Sequence, residues 1–213
     1  MLKPINAILL NPNRKCYDLI IMKRNSEHIL TEWLVVNCQL GDAEALQQLM
    51  KIWYPKLLRY AYRQLGDQQK AQDAVQNTFE VVAKTIRKIK DPGSFAKWVY
   101  QILQHKGVDI IRQKQRQDRL SNEYVQFQDV HTAEQSCVND GSEDFEFEQL
   151  LSDLQPQLYQ LVHLHYLEGF TMLEISEMLA IPAGTIKSRL HQARKLIQGN
   201  LQNSKSNQSG DIK

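Results

Sequence analysis

The 213-residue chain has only three cysteines, and Cys16, Cys38 and Cys137 form no Cys-x-x-Cys pair. So sparse and odd a count argues against a disulfide framework. No apolar run approaches the roughly 18–20 residues a membrane helix needs, so direct membrane insertion is not expected. The apolar stretch 5–10 is interrupted by Asn6 and is too short for a secretion signal. His-Glu-x-x-His, a phosphate loop and a nucleophile elbow are all missing. His163 and His165 are two positions apart, which puts them on different faces of a helix. With none of the usual constellations present, the expectation is no catalytic residue, no metal, no cofactor and no enzyme activity. A soluble, reducing, intracellular setting fits these absences. A strong net charge is also lacking: 26 Lys plus Arg against 24 Asp plus Glu leave +2. Taken alone, that sum argues against a nucleic-acid binder.

The sum conceals its distribution. Residues 1–30 carry +3, residues 31–119 carry +6, residues 120–148 carry −8 with no Lys or Arg, and residues 149–213 carry +1. Within the last stretch Glu168, Glu174 and Glu177 precede Lys187, Arg189, Arg194 and Lys195, and no acid lies between Leu179 and Asn200. Residues 122–147 mix Gln, Asn, Ser, Asp and Glu with few large apolar side chains. Such a composition buries too little surface to offset the cost of ordering, which predicts a flexible acidic linker over 117–147. A solvated spacer is the plain function for it, and shielding of basic surfaces the sharper one. The linker separates two units, 31–116 and 148–200, with an N-terminal extension over 1–30 and a polar tail over 201–213. The first 21 residues show no clear period, and Met22 is an alternative translation start.

In the first unit, 67–90 has the clearest helical pattern. Ala71, Val75, Thr78, Phe79, Val82, Ile86 and Ile89 recur at three- and four-residue spacings and share a stripe about 100° wide. Asp73, Gln76, Asn77, Glu80, Lys84 and Arg87 occupy the other face, for which plain solvation is the simplest reading. Upstream, 42–65 is helical with a buried face from Leu46 to Leu65, and Pro55 should kink or break it. Downstream, 94–116 begins at Ser94, an N-cap candidate. There Lys97, Lys106, Arg112, Lys114 and Arg116 are interleaved with Phe95, Trp98, Tyr100 and His105. Rings beside cations suit single-stranded nucleic acid, since bases stack while cations track phosphates. The spacing of Phe95, Trp98 and Ile102 is equally that of an ordinary core.

In the second unit Thr171-Met172-Leu173-Glu174 reads as a capping box opening a short helix, 172–179. Ala180-Ile181-Pro182 breaks it, and a second helix starts near Pro182. Ile186, Leu190, Ala193 and Ile197 fall within about 60° of one another on that helix. Lys187, Ser188, His191, Arg194 and Lys195 lie on the far side, with Gln192 at the border. Short helix, short turn and one-sided basic helix form the pattern of a major-groove reader, against the alternative of a solvated basic face. Lys187, His191 and Gln192 are placed for base edges, and Arg189, Arg194 and Lys195 for phosphates. The fold class expected is therefore all-α: two small helical domains joined by a flexible acidic linker, the second a helix-turn-helix.

These residues resemble bacterial sigma factors of the sigma-70 class, specifically the extracytoplasmic-function (ECF) group, over about residues 36–116 and 148–199. The resemblance lies in Gly41-Asp42-Ala43-Glu44-Ala45, in the run from Ala71 to Phe79, in the run from Gly93 to Tyr100 with Asp109 and Arg112 beyond it, in Leu154-Gln155-Pro156, in the run from Tyr166 to Thr171, and in the run from Gly184 to Lys195. Each is moderately specific alone; their order and separation make the match strong. About thirty polar residues between the units leave no room for the additional domain of larger sigma factors.

The resemblance implies RNA polymerase core and promoter DNA, both duplex and melted, as partners, in a bacterial cytoplasm. Asp73, Gln76, Asn77 and Phe79 would dock on the clamp helices of core. Lys90, Ser94, Phe95, Lys97, Trp98, Tyr100, His105, Asp109 and Arg112 would hold the melted minus-ten strand. Thr185, Lys187, Ser188, Arg189, His191, Gln192, Arg194 and Lys195 would read the minus-35 duplex. An anti-sigma factor is a candidate partner, because members of this group are often held by one. Three positions depart from the common pattern: His105 where Asn is frequent, Ala180 where Gly is common, and Gln192 where Arg is usual. The competing function is a helix-turn-helix regulator that is not a polymerase subunit; the 73–79 face and the minus-ten segment discriminate against it.

Overall fold

The computed structural model describes the backbone of residues 15–121, 151 and 154–208, and the side chains of residues 26–117, 151 and 154–199. Among the described residues there are helices and no strands, as expected of an all-α chain. The predicted linker beyond Ser121, the extension before Lys15 and the end of the tail lie outside the described residues. The chain divides into two compact units, Ile29–Ser136 and Met1–His28 with Cys137–Lys213.

The first unit contains the end of α1 (Lys15–Leu40), then α2 (Ala43–Leu65), α3 (Gln68–Thr85) and α4 (Phe95–Ser121). The sequence showed no clear period over its first 21 residues, and α1 begins within them. Leu34, Val35 and Cys38 are buried while Ile29, Trp33, Val36 and Leu40 are exposed, so the C-terminal half has no single apolar stripe. Asp42 caps α2 by accepting from the Glu44 and Ala45 amides at 2.8 and 3.2 Å. Gly66 ends it at φ 65°, where its amide donates to the Tyr62 carbonyl. Pro55 does not break α2. Both Pro55 and Lys51, whose carbonyl the missing amide would have served, are exposed, so water can satisfy that oxygen.

Asp67 caps α3, and the Lys70 amide that donates to it holds its carboxyl below the usual carboxylate range. The α-helix stops at Thr85, short of the predicted Lys90, and tightens into a 3-10 turn at Ile86–Lys88. The Gln39 side-chain amide donates to the Ile89 carbonyl at 2.8 Å and to that of Ile86 at 3.4 Å, so α1 serves acceptors of the turn that follows α3. Ser94 directly precedes α4, the position predicted for its N-cap. Its hydroxyl donates back to the Asp91 carbonyl, and the Asp91 carboxylate takes the Gly93 amide.

The described part of the second unit contains α5 (Pro156–Val162), a π-helical turn (His163–Leu167), α6 (Met172–Leu179) and α7 (Ala183–Gln208). The predicted capping box is present: the Thr171 hydroxyl accepts from the Glu174 amide, and the Glu174 carboxylate accepts from the Thr171 amide. His163 is 2% exposed and packs against Tyr159 and Glu168, whereas His165 is half-buried. Between α6 and α7, Ala180 sits at φ 53°, ψ 39°. A left-handed backbone costs an L-residue with a Cβ about 1–2 kcal/mol, more than the roughly 0.5–1 kcal/mol of extra freedom a glycine loses on folding. Ala180→Gly is therefore expected to raise the melting temperature of the chain, by up to about 1 kcal/mol of stability. A fall in the melting temperature would mean that the αL strain is smaller than glycine's entropic cost.

Candidate polymerase and nucleic-acid surfaces

On α3 the buried stripe runs Ala71, Ala74, Val75, Thr78, Phe79 and Val82. Asp73, Gln76, Asn77 and Glu80 are consequently exposed along the opposite side. Of the four residues expected to dock on core, Phe79 differs: it is 4% exposed, its ring stacked against Tyr54 with centroids 6.5 Å apart and planes at 17°. Burial removes its face from a partner. Tyr54 on α2 is 40% exposed and offers the free side of that stack. Sequence reasoning missed Tyr54, because its pairing with Phe79 is a tertiary event.

On α4 the predicted ring-and-cation segment separates into two groups. Phe95 and Tyr100 are 0% exposed and belong to the core. Trp53 meets Phe95 edge-on at 5.3 Å and Tyr100 at 6.0 Å, and Tyr100 meets Tyr60 at 5.1 Å. Edge-to-face packing of this kind stabilises beyond area burial. The Tyr60 hydroxyl pairs with Gln104, and burial pushes the phenol well above its usual range. Phe95 and Tyr100 are thus corrected from base-stacking residues to core residues, since no face of either ring reaches solvent.

The other members share one side of α4. By helical geometry Lys97, Trp98, His105, Asp109 and Arg112 fall within an arc of about 120°. His105, Asp109 and Arg112 are exposed; Lys97 and Trp98 are half-buried. The Trp98 ring leans on Phe95, centroids 6.0 Å apart, so the core ring supports the accessible one. Lys90 is exposed and Ser94 half-buried in the segment leading into the helix.

On α7 Ile186, Leu190, Ala193 and Ile197 are buried in one stripe. Lys187, Ser188, His191, Gln192, Arg194 and Lys195 are exposed, and Thr185 and Arg189 half-buried at the edges. The Ser188 hydroxyl donates to the Thr185 carbonyl at 2.9 Å. The Arg194 guanidinium lies over the Tyr166 ring, 5.8 Å from its centroid. What remains is a cationic ridge suited to phosphate contacts and groove edges.

The separation of Phe95 from Lys97 is testable. Phe95→Ala is expected to cost about 3–5 kcal/mol in denaturant unfolding, as for a large core ring. Lys97→Ala should stay within about 0.5 kcal/mol of the parent. Unchanged stability of Phe95→Ala, with weaker binding to single-stranded DNA, would return Phe95 to the DNA surface.

The family profile described as "ECF sigma factor" matches residues 27–203. The chain is 29% identical over 171 residues to the ECF RNA polymerase sigma factor SigW of Bacillus subtilis, covering 76% of this chain and 91% of that protein. It is 25% identical over 191 residues to the ECF RNA polymerase sigma-E factor of Haemophilus influenzae, covering 83% of this chain and 98% of that protein. The fold matches that of the sigma factor RpoE from Bartonella quintana, determined in complex with the anti-sigma factor NepR, with a TM-score of 0.54, 22% identity, and coverage of 73% of this chain and 96% of that one. No described helix is long and apolar enough to cross a membrane. The chain belongs to the ECF sigma factor family, and is an RNA polymerase sigma factor that acts in transcription initiation.

Proposed function

We propose that the three surfaces divide the work of promoter recognition. The Asp73–Gln76–Asn77 face of α3, widened by Tyr54, docks on the clamp helices of core polymerase. The Lys97–Trp98–His105–Asp109–Arg112 side of α4, with Lys90 and Ser94, holds the melted minus-ten strand. The outer face of α7 reads the minus-35 duplex as the second helix of a helix-turn-helix. Residues 31–116 then act as a region 2-like domain and 148–200 as a region 4-like domain, joined by the acidic segment 117–147.

The observation that carries this proposal is the agreement between burial and chemistry on α7. Its inward positions are all apolar, and its outward positions hold Lys187, His191, Gln192, Arg194 and Lys195 with no acid among them. Mechanistically the protein spends binding energy on opening DNA and performs no covalent chemistry of its own. A base drawn from the stack and held on α4 offsets part of an unstacking cost of a few kcal/mol. Each DNA contact raises the effective concentration of the other, because both domains are anchored on one polymerase. The working compartment is the bacterial cytoplasm, and an anti-sigma factor is the proposed regulatory partner.

Core polymerase supplemented with this protein is expected to start transcription at a cognate promoter. Run-off assays silent on every promoter recovered with the protein from genomic DNA would refute the proposal. Lys187→Ala combined with His191→Ala should weaken upstream-duplex binding at least about tenfold, since a good base contact contributes about 1–3 kcal/mol. Co-purification with core should be unaffected. Asp73→Ala combined with Gln76→Ala should show the reverse, and equal loss of both activities in either variant would overturn the division of labour.

A further inference from the structure

Among the described residues, the Arg194 guanidinium is the one cation on the outer face of α7 for which the structure gives an aromatic platform. Its central carbon lies 5.8 Å from the centre of the Tyr166 ring, inside the range in which a ring face attracts a cation. Tyr166 is itself held. His165 meets it edge-on, centroids 4.8 Å apart with planes at 69°. The His165 Nδ1 lies 2.8 Å from the Phe170 carbonyl oxygen, which can only accept, so Nδ1 carries the proton there. Phe170 is buried and directly precedes the Thr171 cap of α6.

The backbone of this corner is a π-helical turn, His163–Leu167, in which the Glu168 amide reaches the His163 carbonyl five residues back. The wider turn winds less per residue than an α-helix, which changes the bearing of His165 and Tyr166, and such turns are frequent at functional sites.

We propose that Tyr166 is a positioning residue that pre-organises Arg194 for a phosphate of the upstream duplex. An aromatic platform suits this task better than a carboxylate. A ring orients the planar guanidinium without neutralising it or competing for its N–H donors, whereas an acid would rival the phosphate. No acid occurs between Leu179 and Asn200. Arginine has several rotatable bonds, and restricting them before contact lowers the ordering cost of binding. The inference rests on the assignment of α7 as a duplex reader.

The test uses holoenzyme reconstituted from core polymerase and the full-length chain. The probe is a fluorescein-labelled upstream duplex recovered by the wild-type holoenzyme from a random duplex pool. Tyr166→Phe keeps the ring and should bind as wild type. Tyr166→Leu should bind about two- to fivefold more weakly, the range of an exposed cation–ring contact. Arg194→Ala should bind more weakly still, with the slope of log K against log salt reduced by about 0.9, the signature of one lost phosphate contact. In the Arg194→Ala background, Tyr166→Leu should have no further effect. A purely structural role for Tyr166 would instead weaken binding equally with and without Arg194, which overturns the proposal, as does wild-type binding by Tyr166→Leu when Arg194→Ala is weakened. If Tyr166→Leu lowers the melting temperature, Tyr166→Met replaces it in the same cycle with the same criteria. Wild-type binding by Arg194→Ala would instead sink the placing of Arg194 on the duplex, and the inference with it.

Discussion

A helix can bury only the stripe that meets its neighbours, and in this protein the buried stripe of each functional helix dictates where its charged side points. On α3 the inward run Ala71 to Val82 leaves Asp73, Gln76 and Asn77 outside. On α7 the inward run Ile186 to Ile197 leaves a cationic ridge outside. Apolar burial of about 25 cal/mol per Å² fixes those rotations far more firmly than surface charges could, because exposed ion pairs contribute little. The faces proposed for function are thus the remainder of a packing solution.

The aromatic cluster of the first unit applies the same constraint at a single site. Trp53, Tyr60, Phe95 and Tyr100 interlock edge to face and take two rings out of a segment whose composition set four rings beside five cations for nucleic acid. Trp98 stays half-accessible and is braced from beneath by Phe95. A rigid core ring under an accessible ring holds the accessible one at low conformational cost, which favours the base stacking proposed for Trp98. The core and the α4 surface are therefore mechanically one object.

In the second unit local strain and local satisfaction sit side by side. Thr171 and Glu174 close the start of α6 with reciprocal hydrogen bonds, while Ala180 at its end holds a left-handed backbone that its Cβ disfavours. Packing of Ile175, Met178, Ile186 and Leu190 holds that turn. The near-neutral total charge also has a physical resolution. The sum of +2 is the cancellation of basic stretches by an acidic one, and binding responds to the local field rather than to the sum.

Patterning in the sequence was enough to locate α2, α3, α4 and α7 and to set the rotation of α3 and α7, because a single stripe has an unambiguous direction. It determined the capping box, since that motif is closed within four residues. Tertiary structure decided the rest. It chose Phe95 and Tyr100 for the core, because rings interleaved with cations at helical spacing serve either role until Trp53 and Tyr60 arrive from another helix. It ended α3 at Thr85 in a turn whose Ile89 carbonyl takes the Gln39 amide from 50 residues away. It paired Tyr54 with Phe79 and Tyr166 with Arg194, contacts that no spacing along one helix encodes.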